Sequence, residues 1–142
     1  MIRITNIRKC HVPNYDEIYI IARSIASLEK RENKLLNDVV HLPELSPSKS
    51  LFYKYLDWKR ANEWNQETFD NKYKPAFLEE MQSNPSTKQL LNILYEKDKA
   101  GKKIALLCFC KDENLCHRSI VGDMLREKGC NVIFDRDIKH YL

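Results

Sequence analysis

Cys116, His117, Arg118 and Ser119 stand in succession, a few residues beyond an apolar run, Ile104 to Cys110, that carries two further thiols, Cys108 and Cys110. A thiol, an imidazole and a guanidinium grouped in this way can support three kinds of chemistry. A thiolate beside a base or a cation is a nucleophile. An arginine fork suits a carboxylate or phosphate. Cysteine and histidine together can ligate zinc. The plain alternative is packing, because free cysteine is among the most buried residue types.

Which of these applies depends on the elements that carry the residues. Ile104 to Cys110 is a nearly unbroken apolar run, the pattern of a strand buried on both faces in a parallel sheet. Beyond the loop Lys111 to Leu115, a helix sends Ile120, Val121, Met124 and Leu125 inward and ends before Gly129, and Val132-Ile133-Phe134 reads as a short strand. Strand, helix and strand make a βαβ unit with a right-handed crossover. Ligands of open α/β sheets bind beyond the carboxyl ends of the strands, where loops meet helix N-termini. Unpaired N–H groups there favour an anion and lower the pKa of a cysteine. Side chains alternate along a strand, so Cys108 and Cys110 should face one way and Phe109 the other.

Cys116 and His117 are therefore the candidate catalytic pair, and Arg23, Cys110, Arg118 and Ser119 the candidate ligand-binding residues. Cys-x-Cys and adjacent Cys-His fall outside the usual spacing of paired zinc ligands, so no metal is assigned. A tyrosine-phosphatase loop needs an arginine six residues after its cysteine, and the residue six after Cys110 is Cys116. A rhodanese-type cradle is also absent, since this loop has no glycine and its Asp112 and Glu113 would repel a phosphate. There is no Walker A or Gly-x-Gly-x-x-Gly pattern, and no cofactor is expected.

Upstream, Ile2, Ile4 and Ile7 mark a first strand, Ile18 to Ile21 a second, and Pro13-Asn14 the turn between them. Arg23 lies just past the second strand. If that strand and Ile104 to Cys110 are parallel neighbours, Arg23 and Arg118 could converge on one anion; the competing expectation pairs each with a local carboxylate such as Asp112, Glu113 or Asp123. Ser27 to Asn37 reads as an irregular or short helical excursion and Val39 to Leu42 as a short strand. A helix should start with Ser46 as N-cap and Pro47 at its first position and run to about Arg60. A second, Gln66 to Gln82, places Phe69, Tyr73 and Phe77 on one face and should kink at Pro75. A third starts at a Ser86-to-Gln89 capping box and is closed by Gly101. His11, His41 and His140 receive no role.

A chain of 142 residues suits a single α/β domain spanning 1–142, and 43% hydrophobic with 31% charged residues excludes a disordered chain. Five cysteines give no disulfide framework, no apolar run approaches the ~20 residues of a membrane span, and the N-terminal segment lacks the apolar stretch of a signal peptide. A cytoplasmic protein is expected. A net charge of +4 permits an anionic partner without the clustering of a dedicated nucleic-acid binder.

These residues resemble a bacterial domain-of-unknown-function family, number 488, which includes the YeaO-like proteins. The resemblance rests on Leu106-Leu107-Cys108 followed by an acidic loop and Cys116-His117-Arg118-Ser119, on Arg23, on Leu45-Ser46-Pro47-Ser48 before Leu51, and on Trp64, Phe69 and Tyr73. It covers nearly the whole chain, although Ser24-Ile25-Ala26 follows Arg23 where a proline or glycine would be expected. It implies a three-layer α/β fold with a mostly parallel sheet of about five strands flanked by helices. It implies no established activity.

The leading expectation is a small anionic or nucleotide-type ligand at the carboxyl ends of the strands, with thiol chemistry as an extension. A nucleic-acid module is the alternative suggested by aromatic and basic residues from Tyr53 to Lys74, but Asp57, Glu63, Glu67 and Asp70 nearly cancel that charge and the apolar period turns the aromatics inward. A non-catalytic protein-interaction module would instead show an exposed apolar patch.

Overall fold

The strand Ile104–Cys108 is buried along its whole length, as its apolar run predicts, and the sheet is built around it. The computed structural model describes residues 1–10, 12–23 and 39–138. Ser27 to Asn37, His11 and His140 lie outside the described residues. Five parallel strands, β1 (Ile2–Asn6), β2 (Glu17–Ile20), β3 (Val40–His41), β4 (Ile104–Cys108) and β5 (Val132–Phe134), take the order β3-β2-β4-β1-β5. Asn6 pairs in register with Cys108, and Ile20 with Leu107, so β1, β2 and β4 end side by side.

The helices are α1 (Lys49–Arg60), α2 (Gln66–Thr68), α3 (Lys74–Ser83), α4 (Pro85–Lys99), α5 (His117–Glu127) and α6 (Asp135–Ile138). Ile2, Ile4, Ile104, Leu106 and Phe134 on one sheet face pack with Phe77, Leu94, Ile120 and Leu125 of the helices. Ile18, Ile20, Ala105 and Leu107 on the other face pack with Ile7, Cys10 and Tyr15 from the β1–β2 connection. The result is the expected three-layer α/β fold.

Two helix starts differ from expectation, and a third helix has an irregular course. The cap of α1 is Ser48, not Ser46: Ser48 Oγ accepts from Leu51 N at 3.1 Å and donates to Glu80 Oε2 at 2.5 Å, whereas Ser46 Oγ donates to Pro43 O at 2.6 Å in the preceding turn. Asn84 caps α4, with Pro85 in its first turn, so the helix begins before Ser86. The helix expected over Gln66 to Gln82 is present without a break as α2, a π turn over Phe69–Tyr73 and α3, and the irregularity is that π turn, with Pro75 just past it. Gly101 and Gly129 close α4 and α5 as expected, with φ of +86° and +106° in the left-handed region.

Helix α5 lies close on the sheet. A Cβ on Gly122 would sit 2.5 Å from the Phe134 ring and 3.1 Å from Ile4, so only glycine permits this approach. That contact sets where the first turn of α5 meets the strand ends.

Candidate functional site

The chain bends immediately after β4. Asn6 Nδ2, at the end of neighbouring β1, donates to Phe109 O at 3.2 Å and Cys110 O at 2.9 Å, and Arg118 Nη1 donates to Cys110 O at 2.7 Å. Strand alternation stops at this bend, so Phe109 faces the same cavity as Cys108 and Cys110 instead of the opposite side. Asp112 then caps a short 3₁₀ turn, Glu113–Leu115, by accepting from Asn114 N at 2.9 Å, and the chain reaches Cys116 in extended conformation at the start of α5. The path folds back on itself, and the sulfurs of Cys108, Cys110 and Cys116 all lie within 4.8 Å of one another. The spacing that argued against a metal assumed residues from one compact knuckle; here a strand end, a bend and a helix start bring the three sulfurs together.

Cys108 and Cys116 are buried and Cys110 is half-buried. Hydrogen bonds from the Cys110 and Cys116 thiols, helped by His117, hold Cys108 well below the ordinary thiol range despite its burial. Its hydrogen bonds to Cys108 and Cys116 and its own burial push Cys110 far up, and burial pushes Cys116 up to about 12. Of the three thiols, Cys108 is the one whose ionisation the surroundings favour. This differs from the sequence expectation, which placed the acidified thiol at the helix start. Desolvation of Cys116 outweighs the helix N-terminus and the Arg118 charge.

His117 Nε2 sits 2.6 Å from Ile21 O and Nδ1 3.8 Å from Cys116 Sγ. A carbonyl oxygen only accepts, so Nε2 carries a proton and Nδ1 is the ring nitrogen turned to the sulfur. His41 makes the equivalent bond one residue on, Nε2 to Ala22 O at 2.6 Å, satisfied by backbone as expected.

A cavity of about 300 Å³ opens on these sulfurs. Cys108, Cys110, Cys116 and His117 form one side, Arg23 stands at another, and Phe52, Tyr55, Trp64 and Tyr73 make an aromatic wall. Trp64 meets Tyr55 edge-on at 4.7 Å and Tyr73 at 5.3 Å. Burial, reinforced by the nearby thiols, keeps the Tyr73 hydroxyl protonated at all ordinary pH. Lys59 lies 5.2 Å from the Tyr55 ring, and its hydrogen bond to Tyr55 raises its pKa, with Cys110 adding to the effect.

Of the sequence-predicted residues, Arg23, Cys110, Cys116 and His117 line the cavity together. Arg118 and Ser119 do not. Arg118 is only 1% exposed and bonds the Cys110 carbonyl, with its Nε unpartnered among the described residues. Ser119 Oγ donates to Cys116 O at 2.8 Å within the first turn of α5. β2 and β4 are parallel neighbours as the two-arginine argument required, yet only Arg23 reaches the cavity, bonding Pro47 O at 3.3 Å. Neither arginine takes a carboxylate among the described residues: Asp123 pairs with Arg136, and Glu113 accepts from the Asp135 and Arg136 amides. Sequence reasoning missed Asn6, whose role depends on β1 lying beside β4, and the part played by Phe52 and Tyr55.

The model of the family DUF488-N3a, described as the active DUF488-N3 subclade, matches residues 2–129. No curated protein and no solved structure matches the chain. No helix among the described residues is long and apolar enough to cross a membrane.

Proposed function

Because the chain belongs to the DUF488 family, within the subclade described as active, we propose that its cavity binds a small anionic ligand bearing a flat, apolar part and presents it to the cysteine cluster for thiol chemistry. The observation that carries this reading is the meeting of three sulfurs with Arg23 in one aromatic-walled cavity. Arg23 supplies the anion contact, and Tyr55 and Trp64 offer stacking faces. His117 Nδ1 is placed to take a thiol proton from Cys116 when a sulfur becomes nucleophilic. Arg118 and Ser119 act from behind the cavity, fixing the Cys110 and Cys116 carbonyls that shape the loop. A volume near 300 Å³ is at the lower end of ligand pockets, which suits a mononucleotide or something smaller. The inward packing of Trp58, Trp64 and Tyr73 favours this pocket over the nucleic-acid alternative, which needs exposed stacking faces.

The test combines alkylation with ligand protection. In metal-free, reduced protein, iodoacetamide should modify the cluster, and a nucleoside monophosphate or inorganic phosphate should slow that modification and raise Tm. Arg23→Ala should remove both effects while leaving the unliganded stability within about 0.5 kcal/mol of wild type, as befits a partly exposed side chain. Protection that survives in Arg23→Ala, or a wild type that responds to neither probe, overturns the reading.

A further inference from the structure

We propose that Cys108, Cys110 and Cys116 together bind one thiophilic divalent ion of the zinc type, with the fourth coordination position facing the aromatic-walled cavity. The first observation is the approach of the three sulfurs to within 4.8 Å of one another. A tetrahedral zinc with bonds of about 2.3 Å needs sulfurs about 3.8 Å apart, so the thiols need close by only about 1 Å. All three come from held backbone: the end of β4, the bend fixed by Asn6 and Arg118, and the N-cap of α5.

The second observation is charge. Three thiolates around a divalent ion carry a net charge of −1. Arg118 is a buried cation behind the cluster with no carboxylate partner among the described residues, and its charge acts on Cys116. A buried cation needs a compensating negative group, and the loaded cluster is one. His117 is the third observation. Its Nε2–H is fixed on Ile21 O, which holds Nδ1 facing Cys116 Sγ at 3.8 Å. On loading, each S–H bond is exchanged for an S–metal bond and its proton goes to solvent, that of Cys116 by way of His117 Nδ1.

Three protein ligands and one position open to a cavity is the plan of a catalytic metal centre, whereas structural sites close all four positions. The inference rests on the proposed ligand pocket only in that the open position faces it. Free and loaded clusters are alternative states of the same sulfurs: one offers a thiolate, the other a Lewis acid.

The experiment uses the full chain, reduced with a phosphine and stripped of metal by a chelator. Cobalt(II) should produce a sulfur-to-cobalt charge-transfer band together with tetrahedral ligand-field bands, and zinc should displace it at one ion per chain. Cys110→Ser, at the half-buried position least tied to the core, should weaken zinc binding by more than about a hundredfold, beyond the usual loss from changing a group that only supports a ligand. Cys10→Ser, at a thiol outside the group of three sulfurs, should bind like wild type. Zinc should also block iodoacetamide. Absence of the cobalt–thiolate band in reduced wild type, or equal zinc affinity in Cys110→Ser, overturns the inference. Ligand protection of the metal-free thiols is scored separately, so either proposal can fail alone.

Discussion

Two arginines, Arg3 of β1 and Arg118 of α5, are largely withdrawn from solvent, and they are satisfied in different ways. Arg3 Nη2 meets Asp135 Oδ1 at 2.5 Å, and Thr5 Oγ1 donates to the same oxygen at 2.8 Å. Arg118 is more deeply buried and, among the described residues, has one backbone carbonyl, Cys110 O, for a partner. One nitrogen of each, Arg3 Nη1 and Arg118 Nε, is unpartnered among the described residues, so incomplete hydrogen bonding does not distinguish them. The counter-charge does. At Arg3 the chain supplies its own carboxylate; behind the cavity, among the described residues, the cation has a carbonyl, Cys110 O, and lies near the Cys116 thiol. The contrast makes Arg118 part of the site, although it touches none of the cavity surface.

The largest effect should come from breaking the matched pair. Asp135→Ala leaves Arg3 buried without its anion and Thr5 without an acceptor, and should cost about 3–5 kcal/mol in urea unfolding. Alkylation of the cluster in the folded fraction should not change. Arg118→Met tests the other side. It removes a charge that no carboxylate balances, and Cys110 O keeps its bond from Asn6, so the cost should be only about 1–2 kcal/mol. Its main effect should fall on the site: without the Nη1 bond to Cys110 O, the bend that brings Cys110 to the other two sulfurs loosens, and the rate of iodoacetamide modification should change severalfold. If Arg118→Met proves as destabilising as Asp135→Ala and leaves alkylation unchanged, both arginines are structural and the contrast is gone.

The contrast also shows what could be read from the sequence. The buried strand, the helix after it, both terminal glycines and the location of the site beyond β4 follow from local pattern, because a doubly buried strand and a left-handed cap leave clear marks in composition. The sulfur cluster did not, since its formation depends on the bend at Phe109–Cys110, and that bend is held by Asn6 from a strand about a hundred residues away in sequence. The inward turn of Cys116 likewise depends on the Asp112-capped turn before it. Arg23 was legible as a residue past a strand end, whereas the separation of its role from that of Arg118 depends on side-chain direction, which spacing does not encode. The shift of the α1 cap from Ser46 to Ser48 has the same origin: Glu80, from α3, selects between two serines that local sequence leaves equivalent.

A milder version of the matched pair lies at the start of β2, and it sets the lower bound of the comparison. Glu17 accepts from Lys97 Nζ and, at 2.5 Å, from Tyr19 Oη, with side-chain exposures of 21% for Glu17 and 30% for Lys97. Burial alone would raise the Glu17 pKa; the bonds from Lys97 and Tyr19 and the charges of Lys97 and Lys102 outweigh it and hold the carboxyl below its ordinary value. A folded pKa below the unfolded one means the stabilisation is fully present above the unfolded value of about 4.3 and is lost as pH falls through the folded value. Glu17→Gln should therefore cost about 1 kcal/mol at neutral pH, less than either arginine-centred change because water still reaches the pair. The gap between wild type and Glu17→Gln in urea midpoint should stay constant from neutral pH down to about 5 and narrow below about 4. A gap that instead persists unchanged into acid would mean that Glu17 contributes by packing and not as an ion, and that charge matching in this fold is confined to fully buried sites.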